Sequence, residues 1–190
     1  MAITTLNNRA INRSDTASAD QLWTTTSATA TDFQAAAAGG KIGQVLQAVT
    51  TDTATYGTQT FADISGITID ITPAATSSKI LVMTDMLLST TGGYSCAIRM
   101  MRDSTAIYLG TAAGNRPASS KSTISRVSVQ PFSLPAIYLD SPSTTSATTY
   151  KVQWLVETGA AIYRGRSVND GDDAYRGRTA DSITVMEVLA

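Results

Sequence analysis

Gly66-Ile67-Thr68-Ile69-Asp70-Ile71-Thr72 alternates without a break, with Ile67, Ile69 and Ile71 on one side of an extended chain and Thr68, Asp70 and Thr72 on the other. A period of two is that of a strand with one buried face. Downstream, Lys79-Ile80-Leu81-Val82-Met83-Thr84-Asp85-Met86-Leu87-Leu88 is apolar on both sides for much of its length. It is expected to be one central strand covered on both faces, with another subunit as a candidate for the second cover. Tyr94 to Met101, the turn Arg102-Asp103-Ser104-Thr105 and Ala106 to Leu109 read as a hairpin. Thr149 to Glu157 sends Tyr150, Val152, Trp154 and Val156 to one face, and Trp154 is read as core. The chain closes with Ser182 to Val188, a strand too apolar to be left at a sheet edge.

Weaker strands are expected at Ile42 to Val49, Thr58 to Ile64, Ser122 to Val129 and Ala136 to Leu139. Short strands divided by Gly, Ser, Thr, Asn and Pro predict an all-β fold, an antiparallel β-sandwich or jelly-roll-like domain over residues 41 to 190. Pro131, Pro135 and Pro142 suit edges and turns, where a missing amide hydrogen does no harm.

Upstream the pattern fails. Residues 1 to 40 are mostly Thr, Ser, Ala, Asn and Asp, with Leu6, Ile11, Leu22, Trp23 and Phe33 as isolated apolar points. Ordering a residue costs about 1 to 2 kcal/mol, which so few buried groups cannot offset. The segment reads as an extended docking arm with little regular structure, its five apolar residues being anchors for a partner surface or for its own domain. A short helix is expected over Asp32 to Ala38, capped by Asp32 and stopped by Gly39-Gly40, the domain boundary.

The chain has 190 residues, room for one domain and an arm. Only 15% of them are charged, against roughly 25% in typical soluble domains. Thr, Ser and Ala take the place of charge, giving a surface that tolerates close neighbours. With 14 basic and 15 acidic residues there is no electrostatic footprint for nucleic acid. No apolar run is long enough to insert in a membrane, and the start lacks a signal-peptide layout, so a cytoplasmic origin is expected. Cys96 is the single cysteine and is read as a small core residue.

Candidate chemistry is sparse. The chain contains no histidine, which removes the commonest general base and metal ligand, and no cysteine pair for zinc. No cofactor or phosphate-binding fingerprint is present. Carboxylates remain: the loop Asn169-Asp170-Gly171-Asp172-Asp173 has the oxygens for a cation, or for acid–base hydrolysis of a polysaccharide, but lacks the spacing of a known calcium loop. The expectation is an ordinary turn and no enzyme. On either side of it stands the only clear repeat, Tyr163-Arg164-Gly165-Arg166 and Tyr175-Arg176-Gly177-Arg178. Its symmetry suggests two arms of a long hairpin. Arg164, Arg166, Arg176 and Arg178 with Tyr163 and Tyr175 offer bidentate donors and stacking faces for an anionic surface ligand. The plainer alternative, which is favoured, pairs these arginines with Asp170, Asp172, Asp173 and Asp181.

In order along the chain, Gly40-Lys41-Ile42-Gly43-Gln44-Val45-Leu46-Gln47, Phe61 to Ile67 leading to Ile71-Thr72-Pro73, and Ser77 to Val82 resemble virion structural proteins of tailed bacteriophages. Arg102-Asp103-Ser104-Thr105, Leu139 to Pro142 through Thr148-Thr149-Tyr150, and Ser182 to Glu187 continue the match, which runs over about residues 40 to 189. The likeness is greatest to tail-fibre and appendage proteins of marine and freshwater phages, cyanophages among them. It implies a homotrimer of β-rich domains fixed by the N-terminal part to the tail or baseplate, assembled in the host cytoplasm and located in the virion. The resemblance identifies no receptor; contact of the distal loops with a host cell-surface glycan is a separate expectation, from the arm-plus-sandwich layout. The chain is short for a fibre and lacks heptads, so capsid decoration is the alternative reading.

Overall fold

In the computed structural model the residues described are 41–124 and 130–189, together with the backbone of 21–25 and 31–35. The chain divides into two compact units, Met1–Gly39 and Gly40–Ala190.

In the first unit, β1 (Gln21–Thr25) and β2 (Thr31–Ala35) form an antiparallel ladder that sets Trp23 opposite Phe33. The helix expected from Asp32 is therefore corrected at its start, because Asp32 to Ala35 is strand. A lone helical turn leaves its backbone groups unpaired, whereas the ladder pairs them, and the β-branched residue type of Thr24, Thr25 and Thr31 favours a strand. Leu6, Ile11 and the rest of the expected helix lie outside the described residues.

The second unit contains β3 (Lys41–Thr50), β4 (Ala54–Tyr56), β5 (Ala62–Ile71), β6 (Lys79–Asp85), β7 (Leu87–Thr90), β8 (Ser95–Arg102) and β9 (Thr105–Ile107). It continues with β10 (Lys121–Ile124), β11 (Phe132–Ser133), β12 (Ala136–Asp140), β13 (Thr148–Val156), β14 (Ile162–Arg164) and β15 (Asp181–Leu189). Every pairing is antiparallel, and there is no helix among the described residues. Three sheets share one core: β10-β8-β13-β5 with β9 added to β8, β12-β6-β15-β3, and β11-β7-β14-β4.

The deciding strand behaves as its alternation demands. Ile67 and Ile71 are buried, Ile69 packs against the core, and Thr68 and Asp70 are exposed. One irregularity precedes it: Ile64 and Ile67 both point inward although three residues apart, because β5 bulges at Gly66 (φ 79°). The same inward face continues across β13 and β8, where Tyr150, Val152, Trp154 and Val156 lie beside Cys96, Ile98 and Met100. Trp154 is inside, stacked on Tyr56 at 5.8 Å between ring centroids. Each such side chain contributes about 1.5 to 3 kcal/mol by leaving water. The hairpin of β8 and β9 turns at Asp103 (φ 51°), and β15 lies inside its sheet between β6 and β3, both as expected.

Lys79 to Leu88 is not one central strand. It breaks at buried Met86, β6 pairing with β12 and β15 while β7 pairs with β11 and β14. The amide of Leu87 leaves the ladder and donates to Asp181 Oδ1 at 2.7 Å. Ile80, Val82, Thr84, Met86 and Leu88 face inward throughout, so the alternation survives while the chain changes layer. The strand expected from Thr58 to Ile64 also differs: Gly57 to Phe61 form a connection, closed by Tyr56 Oη donating to Thr60 O at 2.6 Å, and β5 starts at Ala62. β10 covers Lys121–Ile124 of the strand expected from Ser122 to Val129, and residues 125–129 lie outside the described set.

Candidate functional site

The two Tyr-Arg-Gly-Arg segments do not form a hairpin. Ile162–Arg164 is a strand between β4 and β7, whereas Tyr175 to Arg178 are in no strand. The acidic loop between them makes local contacts that a ladder would forbid. Arg178 Nη2 donates to Asp170 Oδ2 at 2.7 Å and its Nε to Oδ1 at 3.3 Å, while Arg176 Nε donates to Asp173 Oδ2 at 2.6 Å and its Nη1 to Asn169 O at 2.9 Å. Arg166 stacks on Tyr163 at 4.4 Å, donates to Ser167 O and Val168 O, and approaches Asp170 at 4.0 Å.

Arg164 is not a surface residue at all. It is buried against Asp181, Nη1 to Oδ2 at 3.3 Å, because it shares the inward side of β14 with Ile162. The expected pairing of arginines with Asp170, Asp173 and Asp181 is thus present, and Asp172 takes part in no ion pair among the described residues. A shallow cavity of about 350 Å³ is lined by Asp170, Gly171, Asp172, Asp173, Arg176 and Arg178. Its charges largely satisfy one another, and Tyr175, 80% exposed, stands outside the lining with the Arg176 guanidinium 5.6 Å from its ring centroid. Among the described residues no group of three or more metal-ligating side chains occurs.

Cys96 lies in the core, and burial pushes its thiol up to about 12, so it stays protonated and unreactive. The buried Asp140 carboxylate accepts from Arg102 Nη1 at 2.9 Å and from Tyr150 Oη at 2.7 Å. Burial pushes the Tyr150 phenol up, with the Asp140 charge adding to it. Asp140 and Tyr150 are buried and satisfied by each other and by the partly exposed Arg102, the arrangement of a structural network. Of the anticipated docking residues, Leu22 and Trp23 belong to β1 and Phe33 to β2.

A surface feature not singled out as a site in the sequence is the outer face of the β12-β6-β15-β3 sheet. Cross-strand register lines up Leu139, Leu81, Met186 and Val45 in one row and Ile137, Met83, Thr184 and Gln47 in the next. Ile137 is 59% exposed, Leu139 44% and Val45 54%, with Val49 and Ile42 extending the patch at 57% and 52%. Leu81, Met83 and Met186 are half-buried between them. The signal was present in the double-sided apolar run of β6 and in adjacent Val45 and Leu46, which leave each strand no wholly polar side.

No protein-family model matches the chain, and no curated protein does. Among solved structures it is similar to that of infectious bursal disease virus, Gt strain, at a TM-score of 0.43 and 9% identity over 88% of this chain and 42% of that one. The Gx strain gives 0.40 and 10% over 88% and 41%, and the VP2 subviral particle of the same virus 0.39 and 9% over 87% and 45%. The chain spans less than half the length of these proteins. Superposition at this level is too loose to fix a shared topology or role.

Proposed function

We propose that the chain is a non-enzymatic structural protein of a tailed-bacteriophage particle: a short trimeric tail fibre, attached to the tail or baseplate by residues 1 to 40 and presenting its β-sandwich to the host surface. What carries the reading is the apolar outer face of the β12-β6-β15-β3 sheet, where exposed Ile137, Leu139 and Val45 flank Leu81 and Met186. A contiguous patch of this kind marks a surface meant for another polypeptide. The low charged fraction and the resemblance to phage appendage proteins support the same conclusion. Weak glycan contact by Tyr175 and its neighbouring loop gains strength when several copies act together.

Deleting residues 1 to 40 and supplying the truncated chain during particle assembly is the test. The truncated domain stays folded and is missing from purified particles; incorporation at the full-length level overturns arm-mediated attachment. Counting copies per particle by quantitative mass spectrometry then separates a fibre, present in small number, from a capsid decoration spread over the shell.

A further inference from the structure

We infer that the outer face of the β12-β6-β15-β3 sheet binds a second copy of this chain, related by a two-fold axis that lies in the contact plane and crosses the strands. On this side the four strands present two charged residues, Lys79 and Asp85, one at each end of β6. Both are exposed, and neither enters an ion pair among the described residues. Everything between them is apolar or uncharged: Leu81 and Met83 on β6, Ile137 and Leu139 on β12, Ser182, Thr184 and Met186 on β15, Val45, Gln47 and Val49 on β3.

The face is complementary to itself in one orientation. The register row Tyr138, Val82, Val185 and Leu46 runs across its middle. A two-fold along that row reverses the strands of the second copy and keeps β12 over β12. It lays Met83 over the second copy's Leu81, Ile137 over its Leu139, and Lys79 over its Asp85, twice by symmetry. A two-fold running along β6 would instead set Lys79 on Lys79 and Asp85 on Asp85, which like-charge repulsion opposes, and one running between β6 and β15 would leave both charges facing the uncharged β15. Aligned sheets pack about 10 Å apart with their strands within about 30° of each other, close enough for these pairs to meet.

Four strands about 4.8 Å apart and seven residues long at about 3.3 Å each offer roughly 450 Å² per copy, below the roughly 800 Å² per partner of a stable complex. The pairing is accordingly weak in solution and becomes dominant where copies are held side by side. It does not depend on the particle role and can be tested without particles.

Sedimentation equilibrium of the full chain over a concentration series is the experiment. The wild type forms species of two or six copies, the latter being two trimers joined. Leu81→Lys abolishes the pairing. Lys79→Asp weakens it about tenfold. The double variant Lys79→Asp/Asp85→Lys regenerates both contacts and returns to within about twofold of wild type. Since both charged residues are exposed, circular dichroism of the two charge variants matches the wild type. A wild type that is only monomeric, or stops at three copies, overturns the pairing; three copies would do so while leaving the fibre reading intact. A double variant no tighter than Lys79→Asp also overturns it, because another protein or the N-terminal arm would then be the occupant.

Discussion

The guanidinium of Arg164 and the carboxylate of Asp181 meet at 3.3 Å with side chains 1% and 0% exposed, joining β14 of one sheet to β15 of another. Burial pushes the Asp181 carboxyl up, and the Leu87 amide and Arg164 pull against it. Arg164 Nε has no partner among the described residues, so the pair is held there without full compensation.

Removing one member leaves the other charge buried alone. Arg164→Met is expected to cost about 3 to 5 kcal/mol, whereas Arg164→Met/Asp181→Asn recovers most of that loss, Asn keeping an oxygen for the Leu87 amide. Urea unfolding midpoints read the difference, and a double variant as unstable as the single one would contradict the account.

A second prediction concerns acid. Desolvation raises the Glu187 carboxyl, but the Ala74 amide at 2.6 Å and the Gln44 side-chain amide at 2.9 Å help to outweigh it and hold the group below its ordinary value of 4.5. A depressed carboxyl contributes stability that is complete above its unfolded value and is lost as pH falls through the folded one. Thermal melts should therefore show the wild type more stable than Glu187→Gln above about pH 4.5, with the gap narrowing below it. A gap independent of pH would refute the ionic origin. Asp181 titrates with the opposite sign, stability falling as pH rises from 3.8, and does so in both proteins.

The bulge in β5 supplies the third. A Cβ built on Gly66 would lie 2.9 Å from Thr50 Cβ, at a φ of 79° that side chains rarely adopt. Gly66→Ala is expected to destabilise by about 2 to 3 kcal/mol, combining strain and overpacking. Gly66→Ala/Thr50→Gly removes the contacts with Thr50 Cβ, Oγ1 and Cγ2 and not the dihedral, so differential scanning calorimetry, read against Thr50→Gly alone, should show partial recovery. Complete recovery would mean that the backbone conformation costs nothing.

The fold was legible wherever one face of a strand is buried against a solvated opposite face. Ile67 to Ile71 and Tyr150 to Val156 declared their inward sides by period alone. Lys79 to Leu88 misled, since alternation is preserved when a chain leaves one sheet for another and no residue marks the break at Met86. The repeated Tyr-Arg-Gly-Arg segments misled for a different reason. Their likeness suggested equal surroundings, yet Arg164 is drawn inside by Asp181, close in sequence to the loop but located on β15, while Arg176 and Arg178 fold onto Asp173 and Asp170. The apolar sheet face was half legible: β6 read as doubly covered, but the row completed by Leu139, Met186 and Val45 exists only once register is known.

Because one run of backbone serves first β6 and then β7, two layers share a single covalent member at Met86. Neither can peel away while the other persists, so tension on one is felt by both. A domain stitched in this manner yields all at once rather than leaf by leaf.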